Sequence, residues 1–155
     1  MQAHRFRSRS ESWVATQLGL ILLFALAPHV GPVWPAPAAF HAIAIVAALT
    51  GIAVLGHSAA TLGSSLTPLP RPLPAAQLVT SGAYALVRHP IYFGVLLAAC
   101  GVALWSVSSL RMLLTLVLAL FFDRKASREE SWLEERYAEY PAYRARTKKL
   151  LPWIY

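Results

Sequence analysis

The feature that most restricts how this chain can fold is a long central region that carries almost no charge. Between Trp13 and Phe122 the charged residues are Arg71, Arg88 and Arg111, whereas 123–149 holds six of the seven acidic residues. Hydrophobic residues make up 57% of the 155 residues, a composition too apolar for a water-soluble fold of this size. The sequence therefore predicts an integral membrane protein with its middle in lipid and its tail in water.

The basic residues predict an orientation in the membrane. The net charge is +7, and the arginines and lysines cluster at the two ends of the chain. Loops rich in lysine and arginine face the cytoplasm in most membrane proteins, so both termini and the segment around Arg71 and Arg88 are expected there. This distribution also argues against a nucleic-acid-binding protein, in which the basic residues would form one patch.

Two apolar segments precede the middle of the chain. The first, Trp13 to Ala27, is interpreted as a membrane helix extending through Pro28 toward Val33, and not as a cleaved secretory signal. The second, Ala38 to about Leu62, is long enough to cross a bilayer, and Gly51 and Gly56 would allow a neighbouring helix to approach closely. The proline-rich stretch 67–74 that follows is expected to be an extended connector.

Two further apolar runs, 91–104 and 110–122, are separated by a short link that predicts a helical hairpin. The second is expected to continue past Asp123 into an interfacial amphipathic helix over 124–146, with Trp132, Tyr137, Tyr140 and Tyr143 on one face. The predicted fold is all-α, a bundle of about four transmembrane helices plus this C-terminal helix. Residues 1–155 are expected to form a single domain.

Chemistry is expected in the polar segment 77–94, QLVTSGAYALVRHPIYFG, which lies between apolar runs. It places Arg88 beside His89 at the edge of a membrane helix, where such groups are costly unless they are paired or functional. His41 and His57 lack a second histidine or a carboxylate at metal-binding spacing, so no metal site is predicted.

These residues carry a family resemblance. The loop pattern G-x-Y-x-x-x-RHP-x-Y-x-G, an apolar hairpin, and then EESWLEERYAEYPAYRARTKKLLP together resemble the isoprenylcysteine carboxyl methyltransferase and phospholipid methyltransferase group of membrane enzymes. The resemblance covers 68–152. It implies an S-adenosylmethionine-dependent methyltransferase with an all-helical membrane fold.

The resemblance also implies a set of site residues. The cofactor contacts would fall on Gln77, Leu78, Val79, Tyr84, His89, Pro90, Tyr92, Glu129 and, with a smaller role, Glu130. A carboxylate such as Glu129 suits the ammonium group of S-adenosylmethionine, and aromatic faces suit its sulfonium.

The methyl acceptor is left open by the sequence. The family's substrate-binding arginine falls on Lys125, flanked by Arg124 and Arg128, and lysine keeps the charge but loses the bidentate fork. The acceptor is expected to be a lipid-like amphiphile with a carboxylate, amine or thiol head group, and His89 is the candidate base if a proton must be removed. The alternative is a non-enzymatic membrane protein, a small cofactor-binding or transporter-like bundle.

Overall fold

The computed structural model describes residues 2–30, 38–69 and 76–155, with side chains from Glu11 onward. The predictions for Arg71 and for most of the proline-rich connector therefore lie outside the described residues.

The described chain is built from five α-helices. They are α1 (Gln2–Leu26), α2 (Ala38–Leu62), α3 (Pro90–Trp105), α4 (Ser109–Arg136) and α5 (Tyr140–Arg146). Short 3₁₀ turns at Gly63–Ser65 and Gly82–Ala85 flank the loop between α2 and α3. Within the described ranges, strand-like pairing is limited to one isolated bridge between Val87 and Lys148. The predicted all-α fold is confirmed.

The apolar surface of the molecule is consistent with a membrane environment. By length and composition, one described helical segment, Ala38–Ser65, is long and apolar enough to cross a bilayer, while Glu11–Leu26 and Pro90–Trp105 are shorter. Large apolar side chains also stand exposed on three of the helices: Leu18, Leu22, Leu23 and Leu26 in α1, Ile43, Val46, Leu49 and Ile52 in α2, and Leu113, Leu116 and Leu120 in α4. Apolar area of this extent, exposed outside a core, fits contact with lipid.

Helices α2 and α3 meet backbone to backbone. A Cβ atom added at Gly94 would lie 2.8 Å from the carbonyl oxygen of Gly51, and one added at Gly101 would meet the backbone of Ala48. Small residues at such positions allow close helix packing. The prediction is confirmed for Gly51 but is wrong for Gly56, whose Cβ position has no neighbouring heavy atom within 4 Å.

The apolar core lies where α1, α3 and α4 meet. Leu118 and Phe122 of α4 are buried against Phe24 of α1 and Tyr92 of α3, and the Tyr92 and Phe122 rings stack at 4.5 Å. Helix α4 continues without a break from the apolar run into the polar tail, as predicted, so this core fixes the position of the polar residues one turn further along.

The predicted helix boundaries are wrong at two places, both next to proline. Helix α1 ends at Leu26 and does not extend through Pro28, because a proline disfavours helical geometry in the residue before it. The single helix predicted for 124–146 is divided between α4 and α5, since Pro141 in a continuous helix would clash with the carbonyl of Tyr137. After the break, Tyr140 and Tyr143 are buried and do not form an interfacial face.

Candidate active site

A cavity of about 390 Å³ lies where the loop before α3 meets the polar half of α4. Its walls come from several distant segments: Gln17 of α1, the end of α2 with residues 62–69, the loop 76–89 with the first residues of α3, the face of α4 that carries Lys125 and Glu129, and α5. Ligand-binding cavities have volumes of about 300–1,000 Å³. This cavity is therefore large enough for a small organic molecule.

The segment after α5 holds the loop in place. The Val87–Lys148 bridge is supported by hydrogen bonds from Arg88 N to Lys148 O (2.8 Å) and from His89 N to Lys149 O (3.1 Å). The guanidinium of Arg88 donates Nη1 hydrogen bonds to the carbonyls of Arg144 and Thr147. These hydrogen bonds give partners to backbone N–H and C=O groups that lie outside regular helices, and such groups need partners near a membrane.

Glu129 is the carboxylate that faces the cavity. It accepts a short hydrogen bond from the Tyr92 hydroxyl, and the Lys125 ammonium lies 3.9 Å from its Oε1 atom. The side chain of Glu129 is 16% exposed. Glu129 thus presents a negative charge to the cavity, which suits a cationic ligand group.

His89 lies between the two glutamates. Its Nδ1 atom is 3.4 Å from Glu129 Oε2 and its Nε2 atom is 3.2 Å from Glu130 Oε1. Burial lowers the pKa of His89, but hydrogen bonds and charge from Glu129 and Glu130 outweigh burial and raise it above its usual value. Each ring nitrogen faces a carboxylate oxygen, so the protonated ring can donate to both acids. A histidine held in this way is poorly placed to act as a general base.

Glu130 faces away from the cavity into a buried ion-pair cluster. It accepts a 2.7 Å hydrogen bond from Arg88 Nε and lies 3.7 Å from Arg144 Nε. Burial raises its pKa, but the hydrogen bonds and charges of His89 and Arg88 dominate and lower it to about 2. Glu130 fixes Arg88 and His89 in position and does not line the cavity.

Lys125 is a nearly fully buried cation on the same face of α4, one turn before Glu129. It donates hydrogen bonds to Gln17 Oε1 (2.6 Å) and to the carbonyl of Pro68 (3.1 Å), and it lies 5.2 Å from the centre of the Tyr92 ring. Two of its three N–H groups are thus used within the protein.

Three tyrosines follow the end of α4 at three-residue spacing. Tyr137 donates to the carbonyl of Ala76 (2.6 Å) and Tyr143 donates to that of Tyr84 (2.7 Å). Tyr140 lies between them and also lines the cavity, but its buried hydroxyl has no hydrogen-bond partner within the described part of the chain.

The structure brings most of the predicted site residues together. Those that line the cavity are Gln77, Leu78, Val79, Tyr84, His89, Tyr92, Lys125 and Glu129. Pro90 is buried at the first position of α3, and Glu130 is turned into the ion-pair cluster. Arg124 and Arg128 are exposed and lie outside the cavity, and Arg128 packs over the ring of Trp132.

Several residues that line or support the cavity were not predicted as site residues from the sequence. Gln17 lies far from the loop in the chain, and its only signal was an amide within the apolar run Trp13 to Ala27. Tyr137, Tyr140 and Tyr143 were noticed as an aromatic face but were assigned to the membrane interface. Arg88 was recognised as unusual, but its partners in the tail were not.

Comparison with known proteins places this site in a family context. The family model for phospholipid methyltransferases matches residues 36–140. A probable protein-S-isoprenylcysteine O-methyltransferase of Oryza sativa subsp. indica is 36% identical over 80 residues, which is 50% of this chain and 42% of the relative. The nickel-cobalt-cadmium resistance protein NccN of Alcaligenes xylosoxydans xylosoxydans is 30% identical over 110 residues, which is 70% of this chain and 52% of the relative. The chain thus spans about half the length of these relatives, or less.

A solved structure has a similar fold. The eukaryotic intramembrane Ras methyltransferase ICMT (isoprenylcysteine carboxyl methyltransferase) superposes with a TM-score of 0.67 at 21% sequence identity. The alignment covers 95% of this chain and 53% of that chain. The similarity shows a shared integral membrane helical fold.

Proposed function

The chain belongs to the phospholipid methyltransferase family, and from this premise we propose that it transfers a methyl group from S-adenosylmethionine to a membrane-associated amphiphile at the cytoplasmic face. The observation that carries the proposal is the meeting of the RHP-x-Y loop and Glu129 in one cavity. These are the two parts of the sequence on which the family resemblance rests.

The residues of the cavity fit the proposed cofactor. Glu129 would hold the ammonium group, and the Tyr92 hydroxyl that donates to it would keep the carboxylate in position. Gln77, Leu78 and Val79, which line the cavity, would offer backbone groups to the adenosine part. S-adenosylmethionine would supply an activated methyl group, so the protein's main contribution is to orient the acceptor and exclude water.

The position of His89 bears on the acceptor. An amine head group must lose a proton, and His89 is committed to Glu129 and Glu130. A head group that is already an anion, such as a carboxylate or a thiolate, needs no base. Lys125 offers it a positive charge and one remaining N–H group. The arrangement therefore favours an anionic head group over an amine.

The acceptor would enter from the bilayer. Leu62, Leu66 and Leu69 line the cavity at the end of α2, next to helices with large apolar surfaces exposed to lipid. An apolar tail could lie against these leucines while the head group reaches Lys125. Activity should thus rise with chain length at a fixed head group, and a short soluble acceptor used as efficiently as its long-chain analogue would contradict the lateral route.

Calorimetric titration of the detergent-purified protein tests the proposal most directly. We expect S-adenosylmethionine and S-adenosylhomocysteine to bind with micromolar affinity, and incubation with methyl-labelled cofactor and a lipid extract to label an amphiphilic fraction. No binding at millimolar cofactor would favour the non-enzymatic alternative. Binding without labelling of any fraction would leave a cofactor-binding protein and would overturn the transfer reaction.

A further inference from the structure

The hydroxyl of Tyr140 is a polar group that the fold leaves without a partner. Tyr140 is completely buried, it lines the cavity, and its hydroxyl makes no hydrogen bond to any described residue. Leaving a buried hydroxyl unpaired is unfavourable, so native proteins seldom do it without a ligand or another function.

The two neighbouring tyrosines have hydrogen-bond partners, so the unpaired hydroxyl is specific to Tyr140. Tyr137 and Tyr143 donate to loop carbonyls at Ala76 and Tyr84, and both of these loop residues line the cavity. Tyr140 lies between the two anchoring bonds, and its ring packs edge-on against that of Tyr143 at 5.8 Å. Its hydroxyl therefore belongs to the part of the site bounded by the loop.

The charges of the site indicate which part of a ligand Tyr140 meets. Glu129, the carboxylate open to the cavity, lies with Tyr92 and Lys125. Tyr140 instead lies near the charges of Glu130 and Arg88, which satisfy each other. A neutral hydroxyl there suits a neutral polar group, which can donate to it or accept from it.

From this placement we propose that Tyr140 is a ligand-binding residue whose hydroxyl hydrogen-bonds the adenosine moiety of the cofactor, at the opposite end from the ammonium group held by Glu129. The inference rests on the proposed function. It predicts that a Tyr140→Phe substitution, which removes only the unpartnered oxygen, weakens adenosine binding and does not destabilise the ligand-free protein.

The experiment compares two ligands on four proteins by calorimetry. S-adenosylhomocysteine carries both ends of the cofactor, whereas 5′-methylthioadenosine keeps adenosine and lacks the amino-acid group. One net hydrogen bond corresponds to about a two- to tenfold change in affinity. We expect Tyr140→Phe to lower the affinity for both ligands by the same factor in that range. Glu129→Gln should lower the affinity for S-adenosylhomocysteine alone.

Tyr143→Phe is the matched structural control. It removes a hydroxyl that donates to the Tyr84 carbonyl, so it should lower the melting temperature of the ligand-free protein, whereas Tyr140→Phe should leave it unchanged or raise it. If the wild type binds and Tyr140→Phe binds both ligands equally well, the inference is wrong while the proposed function stands. Weakened binding of S-adenosylhomocysteine alone would place Tyr140 at the amino-acid end and overturn the assignment. Absence of wild-type binding would overturn the proposed function itself.

Discussion

Lys125 of α4 donates a 2.6 Å hydrogen bond to the side-chain oxygen of Gln17 in α1, joining two residues 108 positions apart. The same ammonium group reaches the carbonyl of Pro68 after α2. One buried cation thereby connects three segments around the cavity. Its position explains the presence of a polar amide in the apolar half of α1, since a buried lysine without partners would be strongly destabilising.

Substitution at Gln17 should expose this dependence. Gln17→Leu removes the acceptor and leaves Lys125 buried with fewer partners, which should cost about 1–3 kcal/mol in unfolding free energy. Lys125→Met should also destabilise, but the double variant should recover part of the loss, because an apolar pair replaces a polar one. Thermal unfolding in detergent measures this. Thr16→Val, at an exposed position of the same helix, is the control, and strictly additive losses would contradict a direct coupling.

The adjacent acids Glu129 and Glu130 should give opposite results when each is changed to glutamine. Glu129→Gln should strongly weaken cofactor binding while the protein still purifies as a folded species, because a cavity-facing charge is lost without a change of shape. Glu130→Gln should instead lower stability, on the order of 3 kcal/mol, since Arg88 would remain buried with its charge partner removed. Calorimetry and thermal unfolding on the same samples separate the two effects. Unchanged affinity in Glu129→Gln would refute the cofactor role of that residue.

The His89–Glu130 contact predicts a stability optimum at mildly acidic pH. The pKa of Glu130 is lowered to about 2, so its contribution is complete above its usual value of 4.5 and is lost as the pH falls toward 2. The pKa of His89 is raised above 6.5, so its contribution is complete below 6.5 and is lost as the pH rises through the folded-state value.

Melting temperatures measured from pH 3 to 9 test this pH dependence. The quantity compared is the difference in melting temperature between the wild type and each variant at the same pH. Relative to the wild type, Glu130→Gln should lose less stability on the acid side and His89→Gln should lose less on the alkaline side. Parallel curves for wild type and His89→Gln above pH 6.5 would show that this histidine does not carry a charge in the folded protein.

The membrane orientation can be tested at the C-terminus. The basic residues near both ends of the chain predict that the tail beyond α4 faces the cytoplasm together with the cavity. A reporter active only outside the cytoplasm should give no signal when fused after Tyr155, and a cytoplasmic reporter at the same position should be active. The reverse pair of results would place the cavity on the other side of the membrane and rule out cofactor entry from the cytoplasm.

Local patterns in the sequence predicted much of the fold and part of the site. Apolar runs gave the helices, and the loop motif located His89 and Tyr92. Helical spacing also explains which of the three basic residues Arg124, Lys125 and Arg128 lines the cavity. Lys125 lies one turn before Glu129 and shares its face, whereas Arg124 and Arg128 lie together on the adjacent, exposed face.

What the sequence could not supply were contacts between distant segments. Gln17 meets Lys125 only because α1 packs on α4, where the rings of Trp13 and Phe121 lie 5.5 Å apart. Arg88 finds its carbonyl partners only after Pro141 has divided the terminal helix and turned α5 back toward the loop. Neither residue belongs to a local pattern, so its partner depends on the packing of whole helices.

The attachment of the loop to the tail sets an order of events during synthesis. Arg88 binds the carbonyl of Thr147, a residue 59 positions later. When the loop has just been synthesised, α3 and α4 have yet to be made, and the residues that will hold Arg88 are made after both. The helices can therefore enter the bilayer before the cavity exists, and a nascent chain arrested within α4 would be inserted in the membrane but unable to hold its loop in place.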